Sequence, residues 1–161
     1  MRAMILREQQ TIDNNPLEMV DVELPEPGRN EVRIKVSASG VCHTDLHEIE
    51  GDIALPKLPL IPGHQIVGRI DDLGEGADDW SPGIRVGVPW LYSACQDCKF
   101  CNRGLENLCD DARFTGKDVN GGYAEYMIAH KDFIYAIPEG FPDMQAAPLL
   151  CAGIIGYRAL K

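Results

Sequence analysis

Short runs in which apolar and polar residues alternate predict that this chain is built mainly of β-strands. The alternation is clearest in residues 32–38, where every second residue from Val32 to Val36 is apolar and Arg33 and Lys35 lie between them. A period of two places the apolar side chains on the inward face of a strand and the charged ones outward. Similar runs, bounded by Gly and Pro turns, predict strands at residues 1–7, 17–24, 65–70, 84–88, 123–129 and 133–137.

Two segments have the character of helices rather than strands. A short helix is predicted over residues 44–49, with Thr44 in the position of its N-terminal cap. Residues 143–161 have a helical composition that Pro148 interrupts, and this segment stops without a capping glycine. With the strands and their many turns, the pattern predicts an irregular β-barrel with short helices. We expect the last helix to lead toward a second domain beyond Lys161.

The charge of the chain limits the partners that it could bind. Twenty-five acidic and fifteen basic side chains give a formal net charge of −10. Because phosphate affinity rests on clustered Lys and Arg, this balance argues against a nucleic-acid partner. No apolar run approaches the roughly 20 residues that span a bilayer, and the first residues lack the apolar core of a signal peptide. We therefore expect a cytoplasmic protein without a membrane partner.

Residues 93–120 are polar and aperiodic, and they contain four of the six cysteines in a C-x2-C-x2-C-x7-C arrangement. Two residues between cysteines let successive sulfurs converge on one tetrahedral Zn²⁺ at about 2.3 Å. The ion would order a segment that has little apolar surface to bury. Two disulfides are disfavoured in a reducing cytoplasm, whereas an iron–sulfur cluster uses similar spacing and stays as the alternative. The predicted ligands of this structural zinc are Cys95, Cys98, Cys101 and Cys109.

The two remaining cysteines, Cys42 and Cys151, have His64 between them in the sequence. Two Cys and one His are typical ligands of a catalytic zinc with an open fourth position. Asp45 is a candidate to accept the other ring N–H of His64 and so orient the imidazole. Spacing alone leaves the alternative that these are inert buried cysteines and a structural histidine.

Two polar residues next to Cys42 suggest a path for a proton. A hydroxyl such as that of Thr44, placed beside an open zinc position, can take the proton of an alcohol. A nearby imidazole such as that of His47 can then carry the proton to solvent. The alternatives are that Thr44 only caps the helix and that His47 is an ordinary surface residue.

Taken together, these motifs resemble the zinc-dependent alcohol dehydrogenases of the medium-chain dehydrogenase/reductase superfamily. The resemblance covers the whole chain and implies a mainly β, GroES-like irregular β-barrel with a zinc-binding lobe at about residues 93–120. It implies two zinc ions per chain, a catalytic one on Cys42, His64 and Cys151 and a structural one on the four-cysteine lobe. The stretches that carry it are residues 40–47, 61–64, 95–109, 121–126 and 147–153.

The resemblance also implies roles for residues around the catalytic zinc. Thr44 corresponds to the hydroxyl that bonds the substrate oxygen, and His47 to the outer member of a proton relay that runs through the cofactor ribose. His43 falls where the family has a basic contact to the cofactor pyrophosphate. Trp90 corresponds to the aromatic wall of the substrate pocket, which favours small alcohols or aldehydes. Surface-loop and core positions are the alternatives for His43 and Trp90.

Two features depart from the family pattern. The family usually has Glu after the zinc-binding His, where this chain has Gln65, and a neutral amide predicts slower ligand exchange or an altered zinc geometry. No G-x-G-x-x-G motif is present, so the Rossmann-type domain that binds NAD or NADP is expected after residue 161 and is absent here. The chain alone is therefore expected to fold and bind metal without dehydrogenase turnover.

The function predicted for the intact protein is NAD(P)-dependent interconversion of alcohols with aldehydes or ketones. The intact protein is expected to be a homo-oligomer that assembles largely through the absent domain, which would leave this chain free to be a monomer. The alternative is a non-catalytic zinc-binding structural or interaction module with a GroES-like fold. A zinc-free reductase of the same superfamily is disfavoured because the chain has the complete ligand set.

Overall fold

The computed structural model describes all residues from Met1 to Lys161. It contains nine strands and three short α-helices, joined by turns and single 3₁₀ turns. The strands are β1 (Arg2–Leu6), β2 (Leu17–Asp21), β3 (Glu31–Gly40), β4 (Gln65–Leu73), β5 (Arg85–Val88), β6 (Leu91–Ser93), β7 (Arg113–Phe114), β8 (Tyr126–His130) and β9 (Tyr135–Ala136). The helices are α1 (His43–Glu50), α2 (Asp143–Ala146) and α3 (Ala152–Ala159).

Five strands form the central antiparallel sheet in the order β8-β3-β4-β5-β9. Alternate residues of β3, β4 and β5 fill the main core, as the period of two predicted. The mainly β prediction is therefore confirmed, and the hydrogen-bonded order runs from β8 to β9 without closing. The fully or almost fully buried members of this core include Val32, Ile34, Ile66, Ile70, Val86, Val88 and Met127.

The prediction for residues 32–38 is confirmed within the longer strand β3, although its two charged residues differ in exposure. Lys35 is exposed, whereas the Arg33 guanidinium lies against β4 and pairs with Asp71 at 2.7 Å and Asp72 at 3.2 Å. The sheet face opposite the core is thus partly covered by ion pairs between neighbouring strands.

Four strand predictions need correction at their ends. β4 runs on to Leu73 instead of ending at residue 70. β2 ends at Asp21 instead of residue 24, before the segment that contains Pro25 and Pro27. β8 begins at Tyr126 instead of residue 123. The run at 133–137 gives only the two-residue strand β9, because Lys131–Phe133 turn into a 3₁₀ helix first.

The loop before β4 is held by close backbone contacts with a pair of glycines. Gly121 donates its N–H to the Ile61 carbonyl at 2.6 Å, and Gly122 donates to the Gly63 carbonyl at 3.0 Å. A Cβ on Gly121 would lie 2.0 Å from the Gly63 carbonyl oxygen, so the approach requires glycine. This contact fixes the path of the backbone just before His64.

The first helix begins one residue earlier than predicted, and its cap is Cys42 instead of Thr44. Cys42 has an extended backbone, and its sulfur accepts the Thr44 N–H at 3.3 Å. In return, the Asp45 carboxylate accepts the Cys42 N–H at 2.8 Å. The reciprocal pair forms a capping box, which leaves Thr44 inside the first turn.

The C-terminal segment is helical and broken near Pro148, as predicted. Arg85 of β5 anchors it, since this nearly buried guanidinium pairs with Asp143 at the start of α2 and donates to the Pro138 carbonyl at 2.6 Å. Several large apolar residues of α3 are exposed. No helix of the chain has the length and apolarity needed to cross a membrane.

Replacing Ile66 with Ala tests the central core. Ile66 is fully buried between β3 and β5, so Ile66→Ala should lower the free energy of unfolding by about 2–5 kcal/mol. Met19→Ala is the control, because the Met19 side chain is 67% exposed and its removal should change stability by roughly 0.5 kcal/mol or less. Urea unfolding measures both, and equal effects would contradict this description of the core.

Candidate metal centre

Cys42, His64 and Cys151 lie together, although they come from three distant parts of the chain. The Cys42 Sγ is 3.4 Å from His64 Nε2 and 4.0 Å from Cys151 Sγ, and the three ligand atoms lie within 4.8 Å of one another. Two sulfurs at about 2.3 Å from a tetrahedral ion are about 3.8 Å apart, and a disulfide is far shorter at about 2.05 Å. The geometry therefore fits a zinc ion with three protein ligands.

A single carboxylate orients two of these ligands. The buried Asp45 Oδ1 lies 3.0 Å from His64 Nδ1, while Oδ2 accepts the Cys42 N–H. Because a carboxylate only accepts, His64 carries its proton on Nδ1 and turns the lone pair of Nε2 toward Cys42. The contact predicted between Asp45 and His64 is thus present.

The two thiols of this centre differ in acidity. Burial raises the pKa of Cys42, but hydrogen bonds from Thr44 and the nearby His64 outweigh it, so the net shift of that pKa is downward. Burial, reinforced by the charge of Cys42, raises the pKa of Cys151 to about 11. Cys42 is therefore the more readily ionised ligand, and deprotonation of Cys151 is expected to accompany metal binding.

The second candidate metal-binding group lies in the polar lobe. Its sulfurs are separated by 3.8 Å for Cys95 and Cys101, 3.6 Å for Cys98 and Cys101, and 3.5 Å for Cys95 and Cys109. These separations match the edges of a tetrahedron around one zinc ion, and none of the six cysteines forms a disulfide. Two 3₁₀ turns, Cys101–Arg103 and Glu106–Leu108, shape the loop between the third and fourth sulfurs.

The candidate proton-carrying residues lie on α1. The rings of His43 and His47 stack with centroids 4.6 Å apart, and His47 Nδ1 is 2.7 Å from Asp52 Oδ2. The His47 side chain is 41% exposed, so a proton on it reaches solvent directly. Sequence analysis did not find Asp52. The sequence feature that could have revealed Asp52 is its position just after Gly51. The chain turns back there at the end of the helix, which brings Asp52 near the last turn.

Trp90 and Gln65 flank the centre. Trp90 stacks on Phe114 with centroids 4.2 Å apart, and its ring centroid is 6.3 Å from that of His64. Gln65 is buried opposite Gly40, where a Cβ would lie 2.5 Å from the Gln65 Oε1. Gly40 therefore makes room for the amide that replaces the expected carboxylate.

One buried residue near the centre was missed by the sequence analysis. Glu48 is fully buried on α1, and its carboxylate lies within 4.8 Å of the ligand atoms of Asp45 and His64. Burial raises the pKa of Glu48 to about 8, and Asp45 adds to the rise while His64 opposes it. The sequence signal that could have revealed Glu48 is its spacing from Asp45. Residues three apart lie on the same face of a helix, and Asp45 points inward.

Comparison with known proteins identifies the family of this chain. Residues 28–139 match the family model of the alcohol dehydrogenase GroES-like domain. The chain is 44% identical to a probable alcohol dehydrogenase AdhA of Mycobacterium tuberculosis, covering 99% of this chain and 48% of that protein. It is 48% identical to an alcohol dehydrogenase of Geobacillus stearothermophilus, covering 91% and 44%. The crystal structure of CAD from Helicobacter pylori, complexed with NADP(H), superposes with a TM-score of 0.84 at 27% identity, covering 99% and 49%.

The mainly β fold is that of a GroES-like domain, and its Cys₂His group and four-cysteine lobe are spaced as metal ligands would be. The chain belongs to the alcohol dehydrogenase GroES-like family. It spans about half the length of the curated relatives that it matches.

Removing one thiolate from the Cys₂His group tests the number of metal ions. The chain should bind close to two zinc ions, and Cys151→Ala should bind one because the four-cysteine lobe is untouched. Elemental analysis of the purified proteins measures both. Cys109→Ser is the matched variant for the other site. One zinc per chain, unchanged by Cys151→Ala, would contradict a metal on the Cys₂His group.

Loss of the lobe metal should expose the lobe to protease. Cys109→Ser should be cut by trypsin at Lys99, Arg103 or Arg113 on the order of tenfold faster, since about 1.4 kcal/mol of local stability corresponds to a tenfold change in the open population. Cys151→Ala should leave this rate unchanged. Mass spectrometry of timed digests identifies the cuts, and equal rates in the two variants would refute metal ordering of the lobe.

Proposed function

We propose that this chain is the metal-binding catalytic domain of an NAD(P)-dependent alcohol dehydrogenase that interconverts alcohols with aldehydes or ketones. The observation that carries the proposal is the group of Cys42, His64 and Cys151, at distances suited to a tetrahedral ion with one open position. Enzymes of that name among the relatives support the reaction class. The NADP(H) complex of the Helicobacter pylori structure supports the cofactor class.

The charge of the centre suits an alkoxide. A zinc ion held here supplies Lewis acidity that lowers the pKa of a substrate hydroxyl. The two thiolates of Cys42 and Cys151 would balance the two positive charges of such an ion, so the residues would form a neutral site that tolerates one further negative charge. Asp45 keeps the Nδ1 proton of His64, which leaves Nε2 free for the ion.

Two side chains of α1 carry the proton of the substrate hydroxyl in this proposal. The Thr44 hydroxyl takes the substrate proton and passes its own proton on toward the cofactor ribose. Thr44 lies in the first turn of α1, two residues after the ligand Cys42, which supports this role. His47 is the outer residue of this path, because its Nδ1 lies 2.7 Å from Asp52 Oδ2 and its side chain reaches solvent. The intervening step runs through the ribose of the cofactor, which the second domain would bring.

Trp90 and His43 are assigned to the substrate pocket and to the cofactor site, respectively. Trp90, beside His64 and stacked on Phe114, forms a rigid aromatic wall suited to small alcohols and aldehydes. His43 follows Cys42 at the exposed start of α1, where a basic group can meet the cofactor pyrophosphate.

The remaining assignments concern the whole protein. A Rossmann-type domain beyond residue 161 would hold NAD or NADP. The relatives are about twice as long as this chain, which is consistent with such a domain in the intact protein. Two zinc ions per chain, a homo-oligomeric intact protein and a cytoplasmic location complete the proposal. Reduced cysteines suited to metal binding favour a reducing compartment.

Thr44 is the residue whose change separates proton transfer from metal binding. In the intact protein, Thr44→Val should lower kcat/KM for ethanol by roughly 10²–10⁴-fold, because the hydroxyl is lost while the shape is kept. Thr44→Ser should restore most of the activity. Steady-state assays at 340 nm measure the rates, and elemental analysis should find the zinc content unchanged.

The 161-residue chain without a cofactor domain is the negative control for this assay. A Thr44→Val enzyme of normal activity would remove Thr44 from the proton path. Appreciable NAD(P)-linked turnover by the 161-residue chain alone would contradict the need for a second domain.

A further inference from the structure

His43 and His47 are two of the four histidines of the chain, and they lie four residues apart on α1. Residues at this spacing project from the same face of a helix. Their imidazole rings stack, with centroids 4.6 Å apart and planes inclined by 29°. His43 is exposed and His47 is partly exposed, so this face of α1 is open to solvent. The two rings, which we call the histidine pair, are therefore accessible nitrogen ligands.

The fold uses only one of the four ring nitrogens of the histidine pair. His47 Nδ1 lies 2.7 Å from Asp52 Oδ2, and this is the one side-chain hydrogen bond that either ring makes. Because a carboxylate only accepts, Asp52 holds the proton on Nδ1 and leaves the lone pair of His47 Nε2 free. His43 keeps both of its ring nitrogens available.

A carboxylate behind an imidazole is the usual support of a metal-binding histidine. Metal-bound histidines almost always donate their second ring N–H to such a group, which fixes the tautomer and makes the ligand more basic. Asp52 stands in this relation to His47. Asp45 stands in the same relation to His64 of the Cys₂His group, at 3.0 Å. The chain thus carries two carboxylate–histidine pairs, one buried and one at the surface.

The spacing of the histidine pair suits a divalent ion that prefers imidazole. Two imidazole nitrogens bound to one ion at about 2.1 Å are roughly 3 Å apart, and two histidines four residues apart on a helix can supply them. The exposed His43 ring needs only to rotate out of the stack so that its edge meets the same point as His47 Nε2. Zn²⁺ and Ni²⁺ accept such ligands, whereas Mg²⁺ and Ca²⁺ prefer oxygen. The net charge of −10 attracts cations to the chain.

We propose that His43 and His47 form a metal site, separate from the two cysteine groups, that takes up a divalent ion such as Zn²⁺ or Ni²⁺ and inhibits the enzyme when filled. The inhibitory part rests on the function proposed above, in which His47 carries the substrate proton to solvent. An ion on His47 Nε2 would occupy the lone pair that the proton needs. With two protein ligands and water for the rest, this site should release its ion more readily than the cysteine groups do.

Equilibrium dialysis of the zinc-loaded 161-residue chain against Ni²⁺ tests the site without an enzyme assay. The protein is prepared without a histidine tag, and Ni²⁺ is chosen because it binds imidazole well. Elemental analysis of the dialysed protein counts nickel and zinc together, so nickel that replaces zinc on the cysteines is recognised by the zinc that is lost. His130→Asn is the matched control. His130 Nδ1 also lies near a carboxylate, at 3.8 Å from Asp132, but its ring contacts Tyr92 and Phe133.

We expect the wild-type chain to bind one nickel ion in addition to its zinc. His43→Asn, His47→Asn and Asp52→Asn should each weaken this binding roughly tenfold or more, because metal affinity falls on the order of 10–100-fold even when only the carboxylate behind a ligand is lost. His130→Asn should bind nickel as the wild type does. Absence of the additional nickel, or equal binding by the wild type and the variants of the histidine pair, would overturn the proposal.

The inhibitory effect is measured in the intact dehydrogenase. Ni²⁺ at a concentration that fills the site should lower kcat for ethanol several-fold, while the zinc content stays the same. His43→Asn breaks the pair but keeps His47, so its rate should be nearly independent of Ni²⁺ when compared with its own rate without the ion. A His43→Asn enzyme that is as sensitive as the wild type would contradict inhibition through the histidine pair.

Failure of the two proposals gives different results. A wild-type protein without zinc at Cys42, His64 and Cys151, or without dehydrogenase activity, contradicts the proposed function, and dialysis still decides whether the histidine pair binds an ion. An active enzyme whose nickel binding does not depend on His43 and His47 contradicts only the additional metal site.

Discussion

The buried Asp45 carboxylate is the interaction on which the candidate metal centre depends. One oxygen closes the capping box of α1 through the Cys42 N–H, and the other holds the Nδ1 proton of His64. The Asp45 side chain thus links the start of α1 to His64, a candidate ligand that lies twenty-two residues after Cys42 in the sequence. Because both contacts are made away from water, each is stronger than it would be at the surface, and neither ligand can turn without breaking one. Glu48, one turn further along the same helix, is also buried, but neither of its carboxylate oxygens has a hydrogen-bond partner.

The molecule uses two different sources of order. The central sheet is held by buried aliphatic side chains such as Ile34 and Ile66, whereas the lobe between β6 and β7 has few of them and gathers four sulfurs instead. The two regions meet at the indole of Trp90, which follows β5 and stacks on Phe114 of β7. The four-cysteine lobe therefore borders the aromatic side of the candidate metal centre from outside the main core.

Local patterns predicted those parts of the chain whose structure is decided locally. Alternation gave the strands around residues 32–38, 65–70 and 84–88, because a period of two has one face that must be buried. The predicted strand ends were less accurate where a 3₁₀ turn formed in place of extended backbone, as it does just before Tyr135. The helix cap was wrong because a cysteine sulfur with a reciprocal Asp45 took the place that propensity assigns to Thr44. The four-cysteine spacing alone indicated a metal site, since ligands close in sequence need little from the rest of the fold.

By itself, the sequence determined the positions of the main strands, the four-cysteine motif and the family resemblance, because each rests on residue types at short and regular spacing. Only the tertiary structure decided that Cys42 and Cys151 approach within 4.0 Å, that His47 meets Asp52, and that Glu48 is buried near His64. These contacts join residues whose distance depends on how sheet, loop and helices pack. Burial then changes the chemistry of the groups that it encloses, which is why a carboxyl that looks like a solvated helix residue in the sequence becomes part of the candidate active site.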